Sequence, residues 1–233
     1  MFVVYSNGIG TRRDAWVYNY SKEKVLRNMK KTADFFNSQV QGYKKAKALY
    51  KTLKLDDFKS NDSTKISWSS SLIPHLEKGR TAVYEPNKIV DSIYRPFSKS
   101  YLYVGDKMIH RRAQISEMFP DSQVENLIIS ITGEGNLEFS LLIADLMPDL
   151  CFTKTGNGGS QCFPLYYYDI REKQSKGLFD EDGDSKFIRR DGVSDFILER
   201  AIKQYGKNVS KKDIFYLRVW FPSQPGVQRD LCQ

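Results

Sequence analysis

The chain has 233 residues, of which 40% are hydrophobic, 27% charged and 13% aromatic, and this composition excludes a disordered chain. No run of about eighteen apolar residues occurs, which is the length a membrane-spanning helix needs. The apolar patch near the N-terminus is only four residues long, so we expect no secretory signal and no membrane partner. These features predict a globular cytoplasmic protein.

The positive charge is concentrated in one stretch of the chain. The formal net charge is +8, and residues 12–59 hold thirteen Lys or Arg against five Asp or Glu. This local excess equals the excess of the whole chain, so the remaining residues balance to zero. Such a stretch indicates either a polyanionic partner or a solvated, lysine-rich helix surface, and charge alone leaves both open.

Periodicity and capping residues predict the elements of the first half. We expect a short strand over residues 2–5, strand-like alternation over 11–19, and a helix capped by Ser21. "WSSSLIPHLEKG" (68–79) predicts a short helix that Gly79 ends, and strands are expected over 81–86 and 100–104. The apolar side chains expected to face the core from the long helix and its continuation are Val25, Leu26, Met29, Ala33, Phe36, Tyr43, Ala46, Leu49 and Tyr50.

The second half reads as strands followed by helices. A helical turn is predicted over 112–120, a buried strand over 126–132, a strand or buried helix over 139–150, a strand over 162–169, an amphipathic helix over 193–206 and a further element from 210. No internal repeat is present. The mixture predicts an α+β fold, with a mixed β-sheet core, peripheral helices and an N-terminal helical segment, in one domain over residues 1–216.

Catalytic patterns are absent or weak. The sequence contains no phosphate-loop motif and no nucleophile elbow. "TGEGN" (132–136) follows a strand as a nucleotide loop would, but it lacks the third glycine and the acidic partner. We therefore expect no catalytic residue, although an AdoMet-binding role for this glycine segment stays open as an alternative.

Metal-binding patterns are equally weak. Three cysteines, at 151, 162 and 232, are an odd number at spacings that match no zinc motif, so free thiols are expected. Only two histidines occur and they lie far apart, which excludes a His-rich site. The acidic run at 180–185 is only loosely similar to a calcium loop, because the glutamate at the twelfth position is missing. We expect no metal site.

Two segments combine cations with aromatic rings, "GTRRDAW" (10–16) and "YRPFSKSYLYVGDKMIHRR" (94–112). Arginine can grip guanine edges, Lys and Arg neutralise phosphates, and rings stack on exposed bases. The candidate DNA-contacting residues are Arg12, Arg13, Lys99, Lys107, His110, Arg111 and Arg112.

A scaffold role is the alternative for part of this set. It applies to Arg13, Asp14, Trp16, Tyr94, Arg95, Pro96 and Phe97, and the rings of Tyr94, Phe97, Tyr101 and Tyr103 are expected to pack inward. For Arg95, an ion pair with Asp14 or Asp91 is as good an explanation as a phosphate contact.

Six blocks occur in an order that resembles the C-terminal specificity region of type ISP restriction–modification enzymes. They are "SNGIGTRRDAWVYN", "ISWSSSLIPHLEKG", "SIYRPFSKSYLYVGDKMIHRR", "NLIISITGEG", "IADLMPDL" and "QCFPLYYYD", and the resemblance spans residues 3–216. Those enzymes join a nuclease, a DNA translocase, an adenine-N6 methyltransferase and a target recognition domain in one polypeptide.

The resemblance implies a domain that holds double-stranded DNA and reads its sequence while the methyltransferase domain, in the same polypeptide or a separate subunit, flips an adenine. AdoMet, ATP and Mg²⁺ would belong to other domains of the parent enzyme, and this chain would catalyse nothing alone. A module that docks on a methyltransferase without touching DNA is the other alternative.

The tail departs from the family pattern. The family continues after "KKDIFY" with a pattern similar to YVYG-x-x-H-x-P-E-Y, whereas residues 217–233 read "LRVWFPSQPGVQRDLCQ". A back-translation shifted by one nucleotide can give "YVYGFLHSPEYRETYAN", which fits the pattern. We therefore expect residues 217–233 to be an atypical tail that is out of frame.

Overall fold

The structure is a computed structural model that describes residues 1–111, 114–121, 124–135, 138–154, 156–170 and 186–220, with the side chains of 106 and 218–220 excepted. The predictions for Arg112, for the acidic run at 180–185 and for Cys232 lie outside these residues. Cys151 and Cys162 are both free thiols, as expected.

Helices and strands alternate along the chain. The helices are α1 (Asp14–Val17), α2 (Lys22–Leu49), α3 (Leu55–Phe58), α4 (Ile73–Glu77), α5 (Ile115–Met118), α6 (Asp195–Tyr205) and α7 (Lys211–Trp220). The strands are β1 (Ser6–Asn7), β2 (Tyr18–Asn19), β3 (Ile89–Ile93), β4 (Lys99–Tyr103), β5 (Ile128–Thr132), β6 (Leu141–Ala144), β7 (Met147–Pro148), β8 (Ser160–Pro164), β9 (Tyr166–Ile170) and β10 (Phe187–Asp191). The predicted α+β class is confirmed.

The residues group into two compact units. The first unit contains Met1–Gly8 and Ala113–Gln233, and the second contains Ile9–Arg112. In the sequence, the second unit is therefore inserted directly after the first strand of the first unit. The single domain expected over 1–216 stays a prediction.

The first unit is built on an antiparallel sheet with the strand order β1-β8-β5-β6. Its central strand, β5, pairs Ile128 with Pro164 on one side and with Ala144 on the other. β9 and β10 form a separate antiparallel ribbon in which Tyr168 pairs with Arg189. The first three residues of β5 are buried, as its continuously apolar sequence predicts.

The core of the first unit joins the sheet to α6 and α7. Ile129, Leu165, Val193 and Phe215 are at most 5% exposed, and partly buried side chains of α6 pack against this cluster. Phe215 also meets the ring of Phe2 edge to face, with centroids 6.3 Å apart. The two C-terminal helices are thus fixed mainly by the burial of one phenylalanine and its apolar neighbours.

The second unit packs the long helix α2 against a small sheet. β4 pairs with β2 on one side and with β3 on the other, both antiparallel. The Ser21 hydroxyl caps α2 by accepting a hydrogen bond from the Lys24 amide at 3.3 Å, as predicted. Val25, Met29 and Phe36 are fully buried on one helix face, and the lysines lie on the other face.

The last turns of α2 differ from the expected burial. The helix is continuous over 28 residues, and its end leaves Leu49 and Tyr50 78% and 66% exposed, although both were expected to face the core. At about 1.5 Å per residue the helix is roughly 42 Å long, whereas a five-residue strand spans only about 17 Å. The helix therefore extends beyond the layer that it covers.

Three expected strands are wrong in whole or in part. The first strand is Ser6–Asn7 rather than 2–5, because its partner is the segment at 161–162. Residues 11–19 end in the short strand β2 as expected but begin with the helix α1, since the Thr11 hydroxyl bonds the carboxylate of Asp14 and closes a turn. Residues 81–86 have no strand pairing, because the Asn37 amide bonds the main chain of Ala82 on both sides, at 2.8 and 2.9 Å.

The two glycines that end helices α4 and α6 were predicted correctly. Gly79 follows α4 at φ +65°, and Gly206 follows α6 at φ +98°, a region that side chains other than glycine rarely adopt. Pro74 occupies the first turn of α4, where its missing N–H costs nothing. Within the part of the chain that the structure describes, no helix is long and apolar enough to cross a membrane.

The buried face of α2 gives a stability prediction. Phe36→Ala should lower the free energy of unfolding by about 3–5 kcal/mol, because it leaves a cavity in the core of the second unit. Leu49→Ala, an exposed position on the same helix, should change it by less than about 0.5 kcal/mol. Urea denaturation followed by circular dichroism measures both, and equal losses would contradict the burial described here.

Candidate nucleic-acid interface

The positive charge of the chain belongs to the second unit. Residues 9–112 contain 22 Lys or Arg and 10 Asp or Glu, a net charge of +12. The remaining residues, 1–8 and 113–233, contain 14 Lys or Arg and 18 Asp or Glu, a net charge of −4. A polyanionic partner would therefore be attracted to the second unit.

Arg13 is the buried centre of this unit. Its side chain is 3% exposed, and Nη1 donates to the carbonyls of Lys107 and Met108 at 3.2 and 2.9 Å. Nη2 donates to the hydroxyls of Ser69 and Ser71, the latter at 3.2 Å. Desolvation lowers the pKa of Arg13 to about 10, so the guanidinium is still charged at neutral pH. These contacts correspond to the scaffold alternative for Arg13.

Asp14 extends the scaffold toward the turn between β3 and β4. Its carboxylate accepts hydrogen bonds from the Thr11 hydroxyl, from Tyr94 Oη at 3.2 Å and from the guanidinium of Arg95 at 3.4 Å. Arg95 also lies over the Tyr94 ring, 4.6 Å from its centroid. The ion pair with Asp14 was one of the two alternatives for Arg95. Two adjacent residues thus contact different loops of the unit. Arg13 binds the segments at 69–71 and 107–108, and Asp14 binds the turn between β3 and β4.

Arg12 points away from this scaffold. It is exposed, and its φ of +53° places it in the left-handed region that non-glycine residues rarely adopt. Because of this backbone conformation, the two adjacent side chains point in different directions: Arg13 is buried and Arg12 faces solvent. The Arg12 carbonyl accepts a hydrogen bond from the Ser67 hydroxyl at 3.3 Å.

Arg12, His110 and Arg111 form what we call the basic cluster. The main chain of Arg111 pairs with Gly10 in both directions, at 3.0 and 2.7 Å, which brings residue 111 beside the segment that carries Arg12. The His110 Nδ1 lies 3.0 Å from the Ser70 hydroxyl. Burial, with the positive charges of Arg12, Arg111 and Arg13, lowers the pKa of His110 below its ordinary value. The lowered pKa favours the neutral imidazole in the free chain.

The serine run at 67–71 was missed as a functional element. Ser67 holds the Arg12 carbonyl, Ser69 and Ser71 accept from Arg13, and Ser70 bonds His110. The sequence signal was the unusual "SWSSS", although no spacing rule connects it to residues more than 35 positions away. Its hydroxyls thus contact Arg12 and His110 of the basic cluster and the buried Arg13 beside it.

The other candidate residues are placed separately. Lys107 is half-buried next to Arg13 and offers its carbonyl to that side chain. Lys99 is exposed at the first position of β4, whereas the cluster follows the opposite end of that strand. The structure thus gathers Arg12, His110 and Arg111, with Lys107 nearby in the chain.

The turn between β3 and β4 differs from its expected packing. The Tyr94 amide donates to the Ser98 carbonyl at 2.7 Å, so only Arg95, Pro96 and Phe97 form the tip. Arg95 and Phe97 have φ of +64° and +66°, which costs about 1–3 kcal/mol for each residue. Phe97 is 85% exposed and does not pack inward as predicted. The tight turn leaves no core on its outer side for the ring to enter.

The glycine segment at 132–135 has a structural explanation. The Gly133 amide donates to the Gly159 carbonyl at 2.8 Å, and a Cβ at Gly133 would lie 2.3 Å from that oxygen. The Asn157 amide in turn donates to the Gly135 carbonyl at 3.2 Å. The glycines allow two loops of the first unit to approach closely. Among the described residues no group of three or more His, Cys, Asp or Glu side chains could hold a metal ion.

The chain is thus an α+β domain whose inserted unit carries the positive charge and exposes arginines beside a buried, hydrogen-bonded one. The model of the Type ISP C-terminal specificity domain matches residues 1–217. The chain belongs to this family, which confirms the resemblance found in the sequence. No curated protein matches the chain.

Solved structures agree with this assignment. The chain is similar to the ATP-dependent Type ISP restriction-modification enzyme LlaBIII bound to DNA, with 29% identity over 91% of this chain and a TM-score of 0.72. A nuclease-deletion mutant of the Type ISP enzyme LlaGI with a DNA substrate mimic gives 25% identity over 99% of the chain and a TM-score of 0.77. A DrdV–DNA complex shares the fold, with 23% identity over 98% of the chain and a TM-score of 0.79. The chain spans only 12%, 19% and 20% of those three chains.

The adjacent arginines give a matched pair of stability predictions. Arg13→Ala should lower the free energy of unfolding by about 2–4 kcal/mol, because two carbonyls and two hydroxyls lose their charged donor in a buried site. Arg12→Ala should change it by less than about 0.5 kcal/mol, because the Arg12 side chain is exposed and alanine keeps the same backbone constraint. Urea denaturation of the two variants measures the difference, and a larger loss for Arg12 would contradict the scaffold.

Proposed function

We propose that this chain binds double-stranded DNA as the target recognition domain of a type ISP restriction–modification enzyme. The observation that carries the proposal is the basic cluster of Arg12, His110 and Arg111, whose two arginines are exposed, beside a buried arginine within a unit of charge +12. Membership of the specificity-domain family and the DNA-bound state of the similar LlaBIII and LlaGI structures support it.

The two kinds of side chain in the cluster suit different parts of DNA. Arg12 and Arg111 are exposed cations that would neutralise phosphates, and Lys99 and Lys107 would add contacts to the backbone. His110 and the Ser70 hydroxyl can each donate and accept hydrogen bonds, which suits a base edge in a groove. Phosphate contacts position the protein, and base contacts then select the sequence.

The parent enzyme would supply the chemistry. We propose that an adenine-N6 methyltransferase domain, in the same polypeptide or in a separate subunit, flips and methylates a base while this chain holds the duplex. AdoMet, ATP and Mg²⁺ would be bound by the other domains, and this chain would contribute no catalytic residue. The family assignment and the small share of the LlaBIII and LlaGI chains that it spans support this division of labour.

We also propose that the tail at 217–233 is out of frame. The support is the family pattern that appears after a shift of one nucleotide, and the family match ends at residue 217. Sequencing the coding DNA tests it. A single-base change that restores YVYG-x-x-H-x-P-E-Y in frame is the expected result, and the lack of any such continuation would overturn it.

Salt dependence tests the DNA proposal. Binding of the chain to a 30-base-pair duplex, measured by fluorescence anisotropy, should weaken steeply between low and physiological salt because counterions are released. Arg12→Ala should weaken binding about three- to tenfold and reduce the salt slope by about one. Arg200→Ala, an exposed arginine of the first unit, is the matched control and should bind like the parent chain.

Two results would oppose the proposal. Absence of binding at low salt by a chain that is folded by circular dichroism would exclude DNA as the partner. If Arg12→Ala and Arg200→Ala lowered the affinity for DNA equally, binding would depend on net charge and not on the position of the basic cluster.

The pH dependence follows from His110. A nearby phosphate favours the imidazolium, so the pKa of His110 should be higher in the complex than in the free chain, where it is lowered. Affinity should then rise as the pH falls from the complex pKa to the free pKa, by about tenfold for each unit that separates them. Anisotropy titrations from pH 7.5 to 5.5 should show this gain for the parent chain and lose it in His110→Gln. A gain that persists in the variant would assign the effect to another group.

A further inference from the structure

We propose that Phe97 is an insertion residue, whose ring enters the base stack of DNA bound by the second unit. The inference rests on the proposed DNA binding and goes beyond it, because it names an aromatic contact with bases where the basic cluster provides ionic and polar ones. Phe97 is 85% exposed, the highest value among the exposed large hydrophobic side chains of the described residues.

The turn presents the ring at the end of a short hairpin. β3 and β4 pair as far as Ile93 and Lys99, and the Tyr94–Ser98 hydrogen bond closes the turn one residue further. The ring therefore projects from a three-residue tip on a backbone that hydrogen bonds hold up to its base. Rigid, narrow tips of this kind can enter a groove, where apolar side chains separate neighbouring base pairs.

The backbone at the tip is conformationally costly. Phe97 adopts φ +66°, a conformation that glycine and asparagine adopt readily and bulky aromatic residues rarely adopt. Arg95, at φ +64°, is fixed by its ion pair with Asp14 and its stacking on Tyr94. A phenylalanine at a strained and solvent-exposed position buries little apolar surface to offset the strain, which points to a role in binding.

The positive charge of the second unit indicates which kind of partner the Phe97 ring contacts. Residues 9–112 carry a net charge of +12, and the tip is bordered by the exposed Lys99 at the start of β4. An apolar ring within a strongly basic unit suits a partner with a polyanionic surface and flat aromatic groups inside it. Duplex DNA has both features. A protein surface that bound only the Phe97 ring would leave the positive charge of the unit without an anionic partner.

A duplex with one abasic site distinguishes insertion from surface contact. The gap removes most of the cost of separating the bases, so the parent chain should bind a 30-base-pair abasic duplex about tenfold more tightly than the intact duplex. Phe97→Gly removes the ring and relieves the left-handed backbone, so it should bind both duplexes equally while its melting temperature stays the same or rises. Phe97→Trp should keep the preference.

The control is Tyr50→Ala, which removes an exposed ring elsewhere in the same unit and should keep the abasic preference. If the parent chain binds duplex DNA but prefers neither form, or if Phe97→Gly keeps the preference, the inference is overturned and the DNA proposal stands. A ring that docks on the methyltransferase domain would give this result. If the folded parent chain binds neither duplex at low salt, the DNA proposal itself fails and the inference fails with it.

Discussion

The second unit depends on one buried guanidinium. Arg13 binds the carbonyls of Lys107 and Met108 and the hydroxyls of Ser69 and Ser71, so one side chain fixes two segments that are far apart in the sequence. A buried charge is costly unless polar groups accept its hydrogen bonds, and here four oxygens accept from its two terminal nitrogens. Its burial leaves the preceding arginine in solvent, so the same short segment provides both the scaffold and the exposed cation.

The distribution of charge distinguishes the inserted unit from the rest of the chain. The inserted unit has a net charge of +12, whereas the residues around the insertion have −4, so the electrostatic attraction for a polyanion lies in the inserted unit. The cations at positions 12 and 111 are brought together by a main-chain bridge rather than by a helix or strand. A polar pair, His110 with Ser70, lies beside them and can make directional hydrogen bonds. The arrangement combines affinity from charge with groups able to discriminate bases.

Much of the fold was accessible from sequence, because its signals are local. The Ser21 cap, the glycine stops and the apolar stripe of α2 each depend on a few neighbouring residues. The exposed end of α2 could not be predicted, since it depends on how far the neighbouring layer extends. The helix at 14–17 was also missed, because a hydrogen bond from Thr11 to Asp14 overrides the strand-like alternation.

The candidate site was only partly predictable for the same reason. The residue types around 10–16 and 94–112 indicated a polyanion, yet their composition could not separate Arg12 from Arg13. That difference arises from a backbone φ of +53° and from serines more than 50 positions away. Phe97 was expected in the core because phenylalanine usually lies there, and the strained three-residue turn reverses this expectation.

Lysine footprinting tests directly whether the inserted unit contacts DNA. The chain is acetylated with and without a saturating duplex, and the modification of each lysine is measured by mass spectrometry. DNA should protect lysines within residues 9–112, Lys99 and Lys107 among them, and leave Lys203 and Lys207 of the first unit reactive. Protection confined to residues 113–220, with Lys99 and Lys107 unchanged, would contradict it.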